Sequence, residues 1–167
     1  MSVWGTDYLA SVVGLSRTNA VLAYGAFPAA MLTGRFAGIW LTRRWSSQAL
    51  LLGALAMTLI GFPLFWLARL AVLNILGLFI TGLGIANLYP LTLSIAVGLA
   101  AGQSNQASAR ASLGVGTALL TAPLILGWLA DHLGLQNAYS MVIVLVVAAG
   151  AIILNNRWRL ARREPAH

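Results

Sequence analysis

The chain has 167 residues, of which 60% are hydrophobic and 8% charged, and its mean hydropathy is +0.87. A soluble domain of this size would carry far more surface charge, so the composition describes an integral membrane protein. The net charge of +7 comes from arginines scattered between apolar runs without a basic face, which argues against nucleic acid, and the lack of cysteine excludes disulfides, thiolate metal sites and cysteine nucleophiles while leaving the redox compartment open.

In chain order, residues 1–10 have no basic n-region and the first apolar run has no small-residue cleavage site, so no signal peptide is read. Residues 4–10 resemble the end of a longer apolar segment and 11–18 an external loop, with Asn19 placed to cap the next helix. Five apolar runs follow, at roughly 20–42, 49–68, 70–100, 112–130 and 137–155. A hydrocarbon core about 30 Å thick needs about 20 apolar residues of helix, and backbone within it must satisfy its own hydrogen bonds. The expected fold is therefore all-α: a segment 1–19, a five-helix transmembrane domain 20–156, and a basic tail 157–167.

Arginine placement orients the spans. Arg43, Arg44, Arg110, Arg157, Arg159, Arg162 and Arg163 fall on one side, and only Arg17 and Arg69 on the other. The positive-inside rule places the C-terminus in the cytoplasm and the N-terminus outside, in the cell (plasma or inner) membrane. Trp40, Trp45 and Trp158 then mark the inner interface, and Trp66 and Trp128 the outer one. An outside N-terminus on an odd number of spans, without a signal sequence, points to a fragment with a segment missing upstream.

The spans differ in polarity. The second has only Thr58 in mid-membrane and the fifth none between Met141 and Leu154, so both are expected to face lipid. Tyr24, Phe27 and Met31 share a face of the first span that continues to Gly34, Arg35 and Gly38. Asn74, Thr81 and Thr92 align on the third, with Asn87 and Ser94 on another face; Gly114, Thr117, Thr121 and Trp128 share a face of the fourth. Polar groups inside a membrane face a bundle or a water-filled cavity, so three pathway-side helices braced by two peripheral ones are expected. Pro28, Pro63, Pro90 and Pro123, one in each of the first four spans, mark bends that serve as hinges or as packing kinks.

Specific motifs converge on a family. Gly34-Arg35-Phe36-Ala37-Gly38 followed by Arg43-Arg44 resembles the loop motif of the major facilitator superfamily. The stretch from Gly82 to Pro90, the Ala-rich polar loop 103–112 and the stretch from Ala122 to Gly134 resemble its tenth and eleventh helices. The resemblance implies helices eight to twelve of twelve, with residues 4–10 the stump of the seventh. A weak echo links Gly34-Arg-Phe-Ala-Gly38 to Gly127-Trp-Leu-Ala-Asp131, as repeated three-helix units would require. Gating roles would fall on Gly34, Arg35, Gly38, Arg43, Arg44, Gly127, Asp131 and Gly134. One departure is Gly38, where the family often has an acid, so Arg35 must reach phosphates, helix-end carbonyls or Glu164. The other is the missing half, since the family encloses substrate between two six-helix halves.

No catalytic constellation is present: His132 and His167 have no metal-ligand spacing to carboxylates, and the spans hold no Asp, Glu, Lys or His. An enzyme is not expected, nor a metal or cofactor. Intramembrane acids or histidines usually carry proton coupling, so any coupling residue would lie in the absent part. Tyr24, Asn87, Tyr89, Thr117 and Thr121 are the candidates for lining a pathway, each also readable as a local or interhelical hydrogen-bonder. The leading expectation is secondary active or facilitative transport of a small solute by alternating access, with a missing N-terminal half as partner. The alternatives are a non-transporting membrane scaffold or truncated remnant, and a homo-oligomer that makes its own path.

Overall fold

A computed structural model of the chain describes residues 2–68, 70–100 and 102–161, with the side chains of 4–68, 70–100 and 102–155. The described residues form helices joined by short turns, without a strand: α1 (Ser2–Ser11), α2 (Arg17–Tyr24), α3 (Ala26–Leu41), α4 (Ser47–Leu67), α5 (Ala71–Gly98), α6 (Ser104–Leu133), α7 (Leu135–Ala138) and α8 (Ser140–Ala161). The protein is an all-α membrane protein. Four stretches are long and apolar enough to cross a bilayer: Ser47–Leu67, Ala71–Gly98, Ser104–Leu133 and Leu135–Asn155.

The first expected span is divided into α2 and α3, and Pro28 explains why. Proline has no N–H, so the Tyr24 carbonyl four residues earlier loses its helical donor. Gly25 keeps right-handed geometry (φ −56°, ψ −22°), and its N–H still reaches the Val21 and Leu22 carbonyls. The result is a bend between two pieces that together rise roughly 37 Å. Pro63, Pro90 and Pro123 lie inside α4, α5 and α6.

Four expected boundaries move. The cap of the first span is Ser16, whose Oγ accepts the Asn19 N–H at 3.3 Å. Asn19 itself lies inside the first turn of α2, because a capping side chain must stand outside the helix it caps. The stretch expected as the loop 103–112 is helical from Ser104 onward, since its alanines, glutamine and arginine are good helix formers and nothing breaks the run. On the other side of α6, the turn shrinks to Gly134, whose φ of 78° and ψ of 152° suit glycine. Helix α8 also continues through the backbone of Arg157 and Arg159 to Ala161, so the tail begins later than expected. The side chains of those two arginines and of Trp158, and all of Arg69, Arg162, Arg163, Glu164 and His167, lie outside the described residues.

Helix α5 is the centre of the bundle, packed between α4 and α3. The contact with α4 is made without side chains in the way. A Cβ on Gly77 would meet the backbone of Phe65, one on Gly84 would come within 2.7 Å of the Ala54 carbonyl, and one on Gly61 within 2.6 Å of the Thr81 nitrogen. Gly77, Thr81 and Gly84 are spaced i, i+4, i+7, so they form one stripe along α5. The neighbouring stripe meets α3: a Cβ on Gly82 would sit 2.7 Å from the Phe27 carbonyl, and Gly34 of α3 lies against Ala86. Lipid tails are as apolar as leucine, so close packing and interhelical hydrogen bonds drive such contacts.

Helix α4 accordingly buries a whole face, from Leu51 to Phe65, instead of facing lipid all round. Its sparse polarity hid the small residues that α5 uses. Thr58 is 1% exposed and returns its hydroxyl to the Ala54 carbonyl at 2.9 Å. By contrast α6 has no buried residue along its length, and in α8 no side chain between Ser140 and Asn155 is buried.

One end of the bundle is latched by polar groups. The Tyr8 hydroxyl donates to the Trp66 carbonyl, and the Trp66 indole N–H donates to the Gln136 carbonyl at 2.6 Å. Asn74, fully buried, donates to the Phe65 and Ala68 carbonyls at 2.5 and 3.0 Å. These carbonyls belong to the last turn of α4, where no helical donor remains. The turns after α1, α4 and α6 therefore gather at this end.

Gly84→Ala is expected to destabilise the protein by about 1–3 kcal/mol through overpacking. Gly150→Ala, where the new Cβ meets nothing within 4 Å, should be neutral or slightly stabilising. Reversible unfolding in mixed micelles measures both.

Candidate functional site

Asn87 sits where α5 crosses α3. Its amide Nδ2 donates to the Gly34 carbonyl at 2.6 Å, and its amide occupies the space that a Cβ on Gly38 would need. The spacing Gly34-x-x-x-Gly38 thus lets α5 approach, and Asn87 ties the two backbones together. Beside it, α3 and α4 diverge over α5 and leave a groove of about 370 Å³, whose lining includes Gly34, Gly38, Gly53, Met57 and Asn87.

The other pathway candidates go to different places. Tyr24 is half-buried, lies against Gly5 of α1 and pairs with Phe27 at a ring separation of 5.8 Å. Tyr89 is 43% exposed. It stands two residues from Asn87, a rotation of about 200° around α5, so the two point to opposite sides. Thr117 and Thr121 are exposed one turn apart on α6, and each hydroxyl bonds back at 2.9 Å, to the Leu113 and Thr117 carbonyls. The five do not converge on one site. They fall into an interhelical strut (Asn87), a cavity wall (Tyr24) and exposed positions on α5 and α6.

The loop-motif residues divide in the same way. Gly34 and Gly38 are packing positions, whereas Arg35 is exposed on α3 and makes no ion pair among the described residues. Arg43 and Arg44 follow α3, with the Arg44 guanidinium 4.8 Å from the Trp40 ring centroid. In the sequence echo, a Cβ on Gly127 would meet the Trp4 ring at an ordinary 3.5 Å and no backbone, so it does not repeat the backbone packing of Gly34. Asp131 is exposed in the last turn of α6, beside His132, which lies on the Trp128 ring at 4.5 Å with its Nδ1 2.8 Å from the Trp128 carbonyl.

A second cavity, of about 130 Å³, lies among all the long elements and is almost wholly apolar. Its aromatic wall is Trp4, Tyr24, Phe27, Phe62, Phe65 and Tyr139. Tyr139 packs against Tyr8, Phe62 and Phe65 at ring separations of 5.1, 5.9 and 6.0 Å. Sequence reasoning singled out Tyr24 in this group and missed Tyr139. The available signal was a lone tyrosine at the start of an otherwise aliphatic span. It likewise aligned Asn74 with a polar face, where the side chain instead closes the end of α4.

Gly38→Ala should cost more stability in the parent than in an Asn87→Ala background, because truncating Asn87 clears the space the new methyl needs. Asn87→Ala alone should cost about 0.6 kcal/mol, the average for an interhelical polar contact in a membrane. A double-mutant cycle on unfolding in mixed micelles reads the coupling; strict additivity would contradict the clamp.

Comparison with known proteins bears on the same features. The family model described as Major Facilitator Superfamily matches residues 1–167. The chain is 24% identical over 148 residues to an uncharacterized MFS-type transporter of Yersinia pestis, covering 89% of this chain and 38% of that protein. It is 27% identical over 139 residues to an uncharacterized transporter of Sinorhizobium fredii, covering 83% of this chain and 37% of that one. The chain thus spans well under half the length of these relatives. No solved structure matches it. With the whole length matched and its helices long and apolar enough to span a bilayer, this multi-pass membrane protein belongs to the major facilitator superfamily, a family of transporters.

Proposed function

We propose that the chain forms the C-terminal part of a twelve-helix secondary transporter and moves a small solute by alternating access against an N-terminal half. In this reading α1 is the end of the seventh helix, α2 and α3 together are the eighth, and α4, α5, α6 and α7–α8 are the ninth to twelfth. The observation that carries the proposal is α6. It is long enough to cross the membrane, buries no residue, and exposes Thr117, Thr121 and Trp128. A polar-bearing helix that packs so little within its own chain is suited to another protein surface, and relatives more than twice as long leave room for one. Tyr89, exposed on α5, is the strongest candidate for contact with solute; Asn87 is committed to Gly34.

Arg43, Arg44 and Arg110 stand at the end of the bundle opposite the Trp66 latch, which supports a cytoplasmic assignment for that end. Single cysteines at Thr18, Ser104 and Gln136, all exposed positions in a chain without native cysteine, test this in intact cells. Thr18 and Gln136 should react with an impermeant maleimide and Ser104 should not; the reverse pattern would invert the topology.

Arg35 has no counter-charge among the described residues, so phosphates or the other half must hold it. Insertion scales charge about 2.5–3.5 kcal/mol to an arginine at a helix centre and less near an end. Arg35→Leu should therefore insert as well as the parent, yet slow transport at least tenfold once an N-terminal half is co-expressed. Saturable flux through liposomes by the chain alone would contradict the proposal and favour a homo-oligomer. Absence of flux with the half bound would favour a scaffold.

A further inference from the structure

We infer that the groove between α3 and α4 holds one anionic phospholipid, with an acyl chain along the groove and the phosphate on Arg43 and Arg44. The groove measures about 370 Å³ and is formed by α3, α4 and α5 alone. On α3 it runs from Gly34 to Leu41, a rise of roughly 10 Å. That is about two-thirds of one leaflet of a hydrocarbon core about 30 Å thick. Its open side runs along α4 and α5, both long and apolar enough to cross a bilayer, so what reaches it there is lipid. Small residues make it a slot: Ala37 on the α3 wall and Gly53 on the α4 wall are both exposed. Gly53 serves no close helix approach, because a Cβ there would meet nothing within 4 Å. Glycine is the poorest helix former after proline, so what it contributes here is width.

Apolar walls alone would accept any chain, and charge names the occupant. Leu41 and Leu50 line the groove where α3 ends and α4 begins, and the turn between them carries Arg43 and Arg44. The backbone N–H groups of the two arginines donate to the Trp40 and Leu41 carbonyls at 3.3 and 3.0 Å, which keeps the turn at the end of the groove. Both side chains are exposed, and neither makes an ion pair among the described residues; the Arg44 guanidinium rests 4.8 Å from the Trp40 ring centroid. Trp40 and Trp45 are exposed beside them, as suits side chains at headgroup level. Arginine grips phosphate through a planar fork of N–H donors, and basic pockets between membrane helices take anionic headgroups. A second copy of the chain in the same orientation is a poorer occupant. Asp7 and Asp131, the acids among the described residues, lie at the opposite end beside the Trp66 latch, so that copy brings no carboxylate to the two arginines.

The test is native mass spectrometry of the full chain in detergent, titrated with dioleoyl phosphatidylglycerol and, separately, dioleoyl phosphatidylcholine. One phosphatidylglycerol should bind roughly thirtyfold more tightly than phosphatidylcholine, the equivalent of about 1 kcal/mol for each arginine at an anionic lipid. Replacing both Arg43 and Arg44 by Gln should bring the two lipids to equal affinity. Arg110→Gln removes a charge at the same end but outside the groove, and should leave both affinities within about twofold. Gly53→Leu fills the slot without touching neighbouring backbone and should weaken both lipids together; Ala37→Leu does the same from the other wall. Equal affinity of the two lipids for the parent chain would overturn the inference. So would an Arg110→Gln loss as large as that of the double arginine variant, or unchanged binding in a folded Gly53→Leu or Ala37→Leu protein. The inference rests on membrane insertion and not on an N-terminal half, and no flux is measured, so its failure is separate from failure of the transporter proposal.

Discussion

The bundle depends on α5 approaching its neighbours at backbone distance. Gly77 and Gly84 on one side, and Gly82 on the other, leave no Cβ between α5 and the helices α4 and α3, while Gly61 and Gly34 do the same from the partner helices. Water does not drive helices together inside lipid, so what holds these is dispersion between closely fitted surfaces and a few polar contacts. The short separation also makes the polar contacts reachable. Asn87 meets the Gly34 carbonyl and Asn74 meets the last carbonyls of α4 because the backbones already lie close. Each asparagine then fixes the register that the glycines permit.

Around this centre, the remaining helices are held with decreasing firmness. Helix α1 is secured at one end by Tyr8, whose ring is 1% exposed among Phe65 and Tyr139 and whose hydroxyl is tied to the Trp66 carbonyl. The start of α7–α8 is fastened through Tyr139 and Gln136, and Val142 and Ile143 pack half-buried against the core, while no side chain between Ser140 and Asn155 is fully buried. Helix α6 packs at its ends and is otherwise uncovered. A rigid centre and an open flank suit a body that must move against another one. The Pro28 bend between α2 and α3 sets Tyr24 and Phe27 on the cavity wall while Gly34 and Gly38, further along, stay on α5.

Much of this was legible in the residues. The apolar runs, the polar turns between them and the two glycine-rich motifs were all visible, because bilayer thickness and helix rise set the length of a span. Direction within a span was harder to read. In water a buried face is the apolar one, whereas in lipid a helix can be apolar all round and still bury a face. Helix α4 illustrates this: nearly devoid of polarity, it nonetheless contributes Gly61, Thr58 and Phe65 to the tightest contact in the protein. Helix α6 is the converse: it carries polar groups yet buries no residue within this chain, and its threonine hydroxyls bond back to their own preceding turn. Side chains that join distant segments, such as Asn74 capping α4 and Tyr139 closing the aromatic chamber, depend on tertiary placement that local spacing does not encode.

Whether the open flank of α6 is an interface decides the account. Leu120, at 75% exposure, lies on that helix away from its end contacts. A nitroxide at a single cysteine there, in nanodiscs, reports mobility and oxygen accessibility. The account predicts a mobile, accessible label in the chain alone, becoming immobilised and shielded when a co-purified N-terminal half is bound. A label equally mobile and accessible in the purified complex would contradict it.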